Sequence, residues 1–471
     1  MKTTENLLQT HKKQRLRPVI LALLASILVI GLGVIYWSAR NTTWLPAPLR
    51  KAAQAAPIEG SREEKWIADI DYYAAQLPRL HINAFHSLSQ DQFNQEITAL
   101  KSRVTQLSDD QIGLELVRIT AAIGDAHTRA VPAQWRQANL LPVRPYWFDD
   151  GMFISGVMPH TKDTLGARLV KVGNTPLDQV LETLKPYISD ENEMNFRSDA
   201  PMLLVTADVL RAIGLVPDAQ QVDMTFETAD GSQFTRTLSP VGSQEYRQGI
   251  SNQMTRDEKP MYLRDTGINY WFDYLPETQT LYFQYNTCAQ SPDLSMNKFS
   301  NSLFAAMDEN EVSRLVIDLR FNGGGNSTVL DPFIERLSQH RLSQEGRVYV
   351  FISRNTFSSA ILNALDLQSK AGAQLVGEPS SQRLDHYGEV KHFTLPNSGL
   401  MVTYSTKYFS IASVDEKTRG DDLAGIGIWL KNDPPKDSGI DALRPDMPVS
   451  FTSQDFLNKR DPLLEAIQQL P

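Results

Sequence analysis

Two short stretches of this chain hold residue types that can activate a carbonyl group. The first is DLRFNGGGN, Asp318 to Asn326. Its three consecutive glycines, Gly323 to Gly325, allow left-handed backbone angles and close approach of N–H groups to a ligand. Successive inward N–H groups form a nest for negative charge, which suits a tetrahedral oxyanion. A plain strand-to-helix turn would need the same glycines. A phosphate loop fits poorly, because no Gly-Lys-Ser/Thr follows. The second stretch is RNTFSSAI, Arg354 to Ile361. Ser358 and Ser359 stand where an apolar run gives way to a helical pattern. A helix start offers free N–H groups and partial positive charge. A serine there can be a nucleophile whose acyl intermediate local amides stabilise, or it can simply cap the helix. Taken alone, capping is the commoner outcome. Two such loops at neighbouring strand ends, with a base elsewhere, favour chemistry.

The elements that must position these loops can be read in series. TLYFQY (280–285) and RLVIDLR (314–320) read as strands, followed by the helix TVLDPFIERLSQ. RVYVFIS then reads as a strand, SSAILNALDLQSK as a helix and AQLVGE as a strand. Repeated strand–turn–helix units imply a mostly parallel sheet. Such sheets place their chemistry at the carboxyl ends of the strands.

Upstream, residues 62–130 show helical periodicity. Trp66, Ile70, Tyr73 and Leu77 share one face; Phe93, Ile97, Leu100, Val104 and Leu107 share another; Ile112, Leu116, Ile119 and Ile123 continue the pattern. Ser89 with Gln92, and Ser108 with Gln111, have capping-box spacing. The third helix is expected to stop at Gly124, just before Asp125-Ala126-His127-Thr128. Residues 131–262 carry short β-type runs with turns at Gly173-Asn174 and Asp230-Gly231, as in an α+β module of PDZ-like size. This stretch lacks a clear carboxylate-binding loop of the Gly-Leu-Gly-Phe kind.

The first sixty residues concern location. Pro18 to Trp37 is uncharged over about 20 residues, enough to span a bilayer as a helix. Lys12, Lys13, Arg15 and Arg17 precede it, so the positive-inside bias puts residues 1–17 in the cytoplasm and the body outside. An uncleaved anchor is favoured over a signal peptide, because the run is long and no small-residue cleavage site follows at once. Residues 39–61, rich in Ala and Pro, read as a linker. The formal charge is −9 over 471 residues, so no basic surplus exists to hold nucleic acid. The single cysteine, Cys288, excludes an intrachain disulfide and a Cys-based zinc site.

The motifs VIDLRFNGGG, TFSSA, LVGEPS, FTLPNSGLMVTYSTKYF and LRPDMPV, in this order, resemble the tail-specific protease and tricorn-core family of serine peptidases. The tricorn-like bacterial branch is the most similar, and the lead-in ending IGDAHT shares the likeness. It runs from about residue 62 to the C-terminus. The resemblance implies a Clp/crotonase-like β/α spiral for the catalytic part, with Ser358 as nucleophile. It implies an oxyanion hole from the N–H of Ser359 and that of Gly323 or Gly324, and His127 as base. A serine hydroxyl needs such an adjacent proton acceptor.

The chain also departs from the family pattern. Ile361 stands where an acidic residue is common. Arg383 stands where the Ser–Lys branch has its lysine (383 − 358 = 25 residues on), and a guanidinium stays protonated. His386 in DHYGE is a second base candidate. The branch's C-terminal glutamate has no evident counterpart; Asp437 and Asp441 are the nearest candidates.

These readings give an α/β protein with a cytoplasmic N-terminus (1–17), a transmembrane anchor (18–38) and a linker (39–61). A helical segment (62–130), a PDZ-like α+β module (131–262) and a serine peptidase domain (263–471) follow. The expected partner is exported polypeptide, with no metal or organic cofactor. The competing expectation is a catalytically inactive ligand- or peptide-binding protein on the same scaffold. A purely structural envelope protein would need no glycine nest beside a helix-start serine.

Overall fold

The computed structural model describes residues 49–133, 135, 139–410 and 439–470. The apolar run 18–38 lies outside them, and among the described residues no helix is long and apolar enough to cross a membrane.

Three helices open the described chain: α1 (Arg62–Leu80), α2 (Gln90–Arg103) and α3 (Asp109–Ala121). Each begins with a capping box, at Ser61/Glu64, Ser89/Gln92 and Ser108/Gln111. The cap side chain satisfies one helical N–H, and the third helical residue reaches back to satisfy the cap's own. The periodic apolar faces are buried: Ile70, Tyr73, Leu77, Phe93, Leu100, Ile112, Leu116 and Ile119 all lie inside. A turn over residues 122–129 leads to the short strand β1 (Ala130–Val131).

The middle module is antiparallel. Strands β2 (Val143–Phe148), β3 (Gly151–Val157), β4 (Arg168–Val172), β5 (Val222–Glu227) and β6 (Gln233–Leu238) pair in that order. Helices α4 (Leu177–Leu184) and α5 (Glu193–Val205) connect β4 to β5.

The last unit is built on β7 (Tyr270–Leu275), β8 (Thr280–Tyr285), β9 (Arg314–Asp318), β10 (Val348–Ile352) and β11 (Gln374–Gly377). β7 is antiparallel to β8; the rest run parallel. Every residue of β8 and β10 is buried, as expected for strands covered on both faces. Helix α6 (Met296–Glu309) joins β8 to β9, α7 (Asp331–Ser338) lies between β9 and β10, and α8 (Ser359–Ala371) joins β10 to β11.

One segment leaves this unit. Strands β12 (His386–Thr394) and β13 (Met401–Phe409) form a hairpin that pairs with β1, not with the parallel sheet. Phe393, Val402 and Tyr404 join the apolar core of the helical segment and the middle module. The stretch that carries the parallel sheet therefore sends a hairpin back to the loop that carries His127. The chain then returns through β14 (Met447–Pro448), parallel to β11.

Candidate active site

The glycine loop follows β9 and the serine turn follows β10, so parallel pairing alone sets them side by side. Hydrogen bonds fasten the two. Ser353 Oγ donates to the Arg320 carbonyl at 2.7 Å, and Thr356 Oγ1 donates to the Leu319 carbonyl at 2.9 Å. The Phe357 N–H donates to the Asn322 carbonyl at 3.0 Å. Asn322 is anchored in turn through Nδ2 to the Tyr285 carbonyl at 2.9 Å.

Ser358 precedes α8 with φ +54° and ψ −126°. An L-residue rarely adopts this conformation, and surrounding structure must hold it there. Its side chain makes no capping hydrogen bond, so the helix-cap role that the sequence left open is not taken. Its neighbour Ser359 donates Oγ to the Gly325 carbonyl at 2.7 Å. Gly324, at φ +100°, lies so close that a Cβ on it would stand 2.8 Å from Ser358 Cβ. Gly325, at φ +135°, faces the Cys288 carbonyl, which a Cβ would meet at 2.4 Å. These two glycines are required by space as well as by angle.

The N–H groups around Ser358 are not equivalent. That of Gly324 donates to Asn322 Oδ1 at 3.0 Å. Those of Gly323 and Ser359 have no acceptor within the described chain. Of the two glycine candidates for an oxyanion hole, Gly323 is thus the one with an uncommitted donor.

His127 comes from the turn that precedes β1. Its ring centroid lies 4.6 Å from that of Phe357, the residue before Ser358. No direct hydrogen bond joins His127 to Ser358. Gln382 bridges them instead: it accepts the Ser358 N–H at 2.8 Å and lies 3.0 Å from His127 Nδ1. Burial pushes the His127 imidazole down to about 4, against the pull of Asp125. The ring is therefore neutral at physiological pH, as a proton acceptor must be.

Asp125 organises that loop. The buried carboxylate accepts from His81 Nε2 (3.0 Å), Thr128 Oγ1 (2.5 Å), Ser405 Oγ (2.6 Å) and the His127 N–H (2.9 Å). His81 Nδ1 accepts the Asn83 N–H at 2.9 Å, which leaves the His81 proton on Nε2. Burial alone would raise the Asp125 carboxyl; the His81 ring, with help from His127 and Ser405, holds it well below the usual range. Behind it, burial pushes the Glu191 carboxyl up to about 7, with Asp125 adding to the rise, while the N–H groups of Ala126 and Arg383 donate to it.

The other sequence candidates fall elsewhere. Arg383 donates Nε to the Glu191 carbonyl at 2.9 Å. His386 is buried beside His127, ring centroids 6.2 Å apart, with Nδ1 2.9 Å from the Leu384 carbonyl. The Asp441 carboxylate is exposed and paired with Arg444 at 2.9 Å, so it is not brought to Ser358 or His127. Asp437 lies outside the described residues. Ile361 is core. Sequence reasoning missed Gln382, His81 and Glu191. Nothing local marks them, because each acts through contacts distant in the chain.

A cavity of about 720 Å³ opens between the middle sheet and this unit. Phe321 and Ser353 to Asn355, which flank the glycine loop and the serine turn, form part of its wall. Tyr146, Phe148 and Met202 line it too, as do Arg144, Arg247 and Lys259. Lys259 stands near enough to Asp265 to help lower its carboxyl.

No family model and no curated protein matches the sequence. Among solved structures, the chain is similar to mature CPAF complexed with lactacystin, at 11% identity over 87% of this chain and 97% of that one, with a TM-score of 0.58. It is also similar to the photosystem II D1 C-terminal processing protease (14% identity, 87% and 97% coverage, TM-score 0.38). A third match is tricorn protease (11% identity, 87% and 37% coverage, TM-score 0.38). The CPAF likeness establishes a shared mixed α/β fold across most of both chains.

Proposed function

We propose that this chain is a serine peptidase that hydrolyses polypeptides. Ser358 Oγ attacks the peptide carbonyl carbon, His127 takes the hydroxyl proton and returns it to the leaving amine, and water completes the second half. The N–H groups of Ser359 and Gly323 hold the oxyanion. The observation that carries this reading is the conformation of Ser358: an uncapped serine at positive φ, pressed against Gly324, at the start of a helix. A serine needed only for capping would make the cap bond and avoid the strain.

Several finer points belong to the same reading. The parallel unit is a Clp/crotonase-like β/α spiral. The PDZ-like middle module presents an extended polypeptide along the 720 Å³ cavity. The apolar run 18–38 anchors the chain in the inner membrane with its body outside. The substrates are then exported polypeptides, and no metal or organic cofactor takes part.

Fluorophosphonate labelling of the full chain, with hydrolysis of a broad peptide library, tests the core of the proposal. Wild type should be labelled and Ser358→Ala should not. Equal labelling of both, with no cleavage, would favour a ligand-binding protein on this scaffold. The missing hydrogen bond between His127 and Ser358 is the observation that keeps that second reading in play.

A further inference from the structure

Gln382 joins the two halves of the candidate site, and its hydrogen bonds settle more than position. A backbone N–H can only donate. The side-chain atom 2.8 Å from Ser358 N must therefore be the amide oxygen, Oε1. That turns Nε2 toward His127 Nδ1 at 3.0 Å. A carboxamide nitrogen also only donates, so Nδ1 must offer its lone pair. The imidazole is then neutral with its proton on Nε2, and the Tyr387 carbonyl faces the ring as an acceptor.

We propose that Gln382 is a positioning residue whose amide fixes the Nε2–H tautomer of His127 and occupies its Nδ1 lone pair, so that proton transfer from Ser358 waits until the amide withdraws. The catalytic consequence rests on the reading of Ser358 and His127 given above; the tautomer rests on the two hydrogen bonds alone. Once the amide has left, the Ser358 O–H bond breaks and its proton joins Nδ1. The freed electron pair on Oγ forms the bond to the carbonyl carbon. The imidazolium keeps its Nε2 proton and later passes the Nδ1 proton to the leaving nitrogen. While Gln382 stays in place, an Nδ1–H would meet its N–H head on, so the contact opposes a charged ring. Other groups facing the ring divide. Asp125 favours the cation, while Arg129 on the same loop and His386 on β12 oppose it. Glu191 stands beyond, beside Asp125.

The test uses the detergent-solubilised full chain labelled with 15N-histidine, with the His127 signals assigned by their loss in His127→Ala. Wild type should show an unprotonated Nδ1 and a protonated Nε2 at neutral pH. In Gln382→Glu the carboxylate can accept from both the Ser358 N–H and a protonated Nδ1, so the His127 titration should rise by about 1–3 pH units. In Gln382→Ala the Nδ1 lone pair is released. Its tautomer signals should shift, and fluorophosphonate labelling should quicken by about tenfold, as for a base set free to act. A purely structural glutamine would move none of these tautomer signals. A wild-type ring protonated on Nδ1, or identical His127 signals and titration in all three proteins, overturns the inference. If the signals shift as stated but no variant is labelled, Gln382 sets the tautomer and the peptidase reading is the one that fails.

Discussion

The two halves of the candidate site are built on different principles. The Ser358 half is continuous with one parallel sheet. The glycine loop and the serine turn are the ends of adjacent strands, and backbone-directed hydrogen bonds clamp them together. The His127 half is assembled from afar. Thr403, 274 positions from Arg129, accepts its N–H and donates to the His127 carbonyl, while Ser405 reaches Asp125 and Gln382 reaches the His127 ring. One half stores backbone strain on a rigid support. The other holds a neutral imidazole in a buried polar network. The contrast suggests that steric changes should break the first half, whereas changes of charge or tautomer should retune the second.

The largest expected effect lies in the first half. Ser358→Ala should lower peptide hydrolysis by about 10⁴-fold or more with the fold intact, as seen by initial rates and an unchanged far-UV spectrum. In the second half, His127→Gln should cost about 10²–10⁴-fold in kcat. A loss confined to KM would remove His127 as base. Gly324→Ala sets steric strain against that: its Cβ would stand 2.8 Å from Ser358 Cβ at a strained φ. The displaced serine should lose about 10²-fold in kcat/KM, while Gly323→Ala, with open space around it, should lose less. If the two glycine variants behave alike, the contact argument fails.

Asp125→Asn probes the polar network. Replacing the carboxylate that accepts from His81, Thr128 and Ser405 should cost about 1–3 kcal/mol in urea unfolding at neutral pH. The Asp125 carboxyl is held below its unfolded value, so its contribution is complete above pH 4 and is lost as pH falls toward the depressed value. The wild type should therefore lose stability on acidification more steeply than the variant. A parallel pH dependence in both would mean that the carboxylate contributes nothing. The smallest effect belongs to Asp441→Ala, which removes a solvent-exposed pair with Arg444. Rates should stay within about twofold, in keeping with the low worth of surface ion pairs. A large loss would restore Asp441 as a catalytic candidate.

Much of the Ser358 half was legible in the sequence. The runs RLVIDLR and RVYVFIS are short and apolar, and each ends in turn residues. Strand, loop and helix therefore follow from local pattern, and parallel pairing brings the loops together. The capping boxes at Ser89 and Ser108 were legible for the same reason: a cap is a contact between residues three apart. What local pattern left open was the state of Ser358, since a capping serine and a strained one are preceded by the same residues.

The sequence by itself determined the order of strands and helices, the burial of the helical faces, and the placement of Ser358 beside a glycine loop. Each depends on periodicity or on neighbours in the chain. Only the tertiary structure decided that β12 and β13 leave the parallel sheet to pair with β1. That pairing closes Thr403 and Ser405 around the His127 loop, and the packing decided that Gln382, rather than Arg383 or Asp441, stands between His127 and Ser358. The reason is physical. Hydrogen bonds between residues hundreds of positions apart depend on how packed elements meet, and one amide selecting one ring nitrogen leaves no periodic trace in the chain.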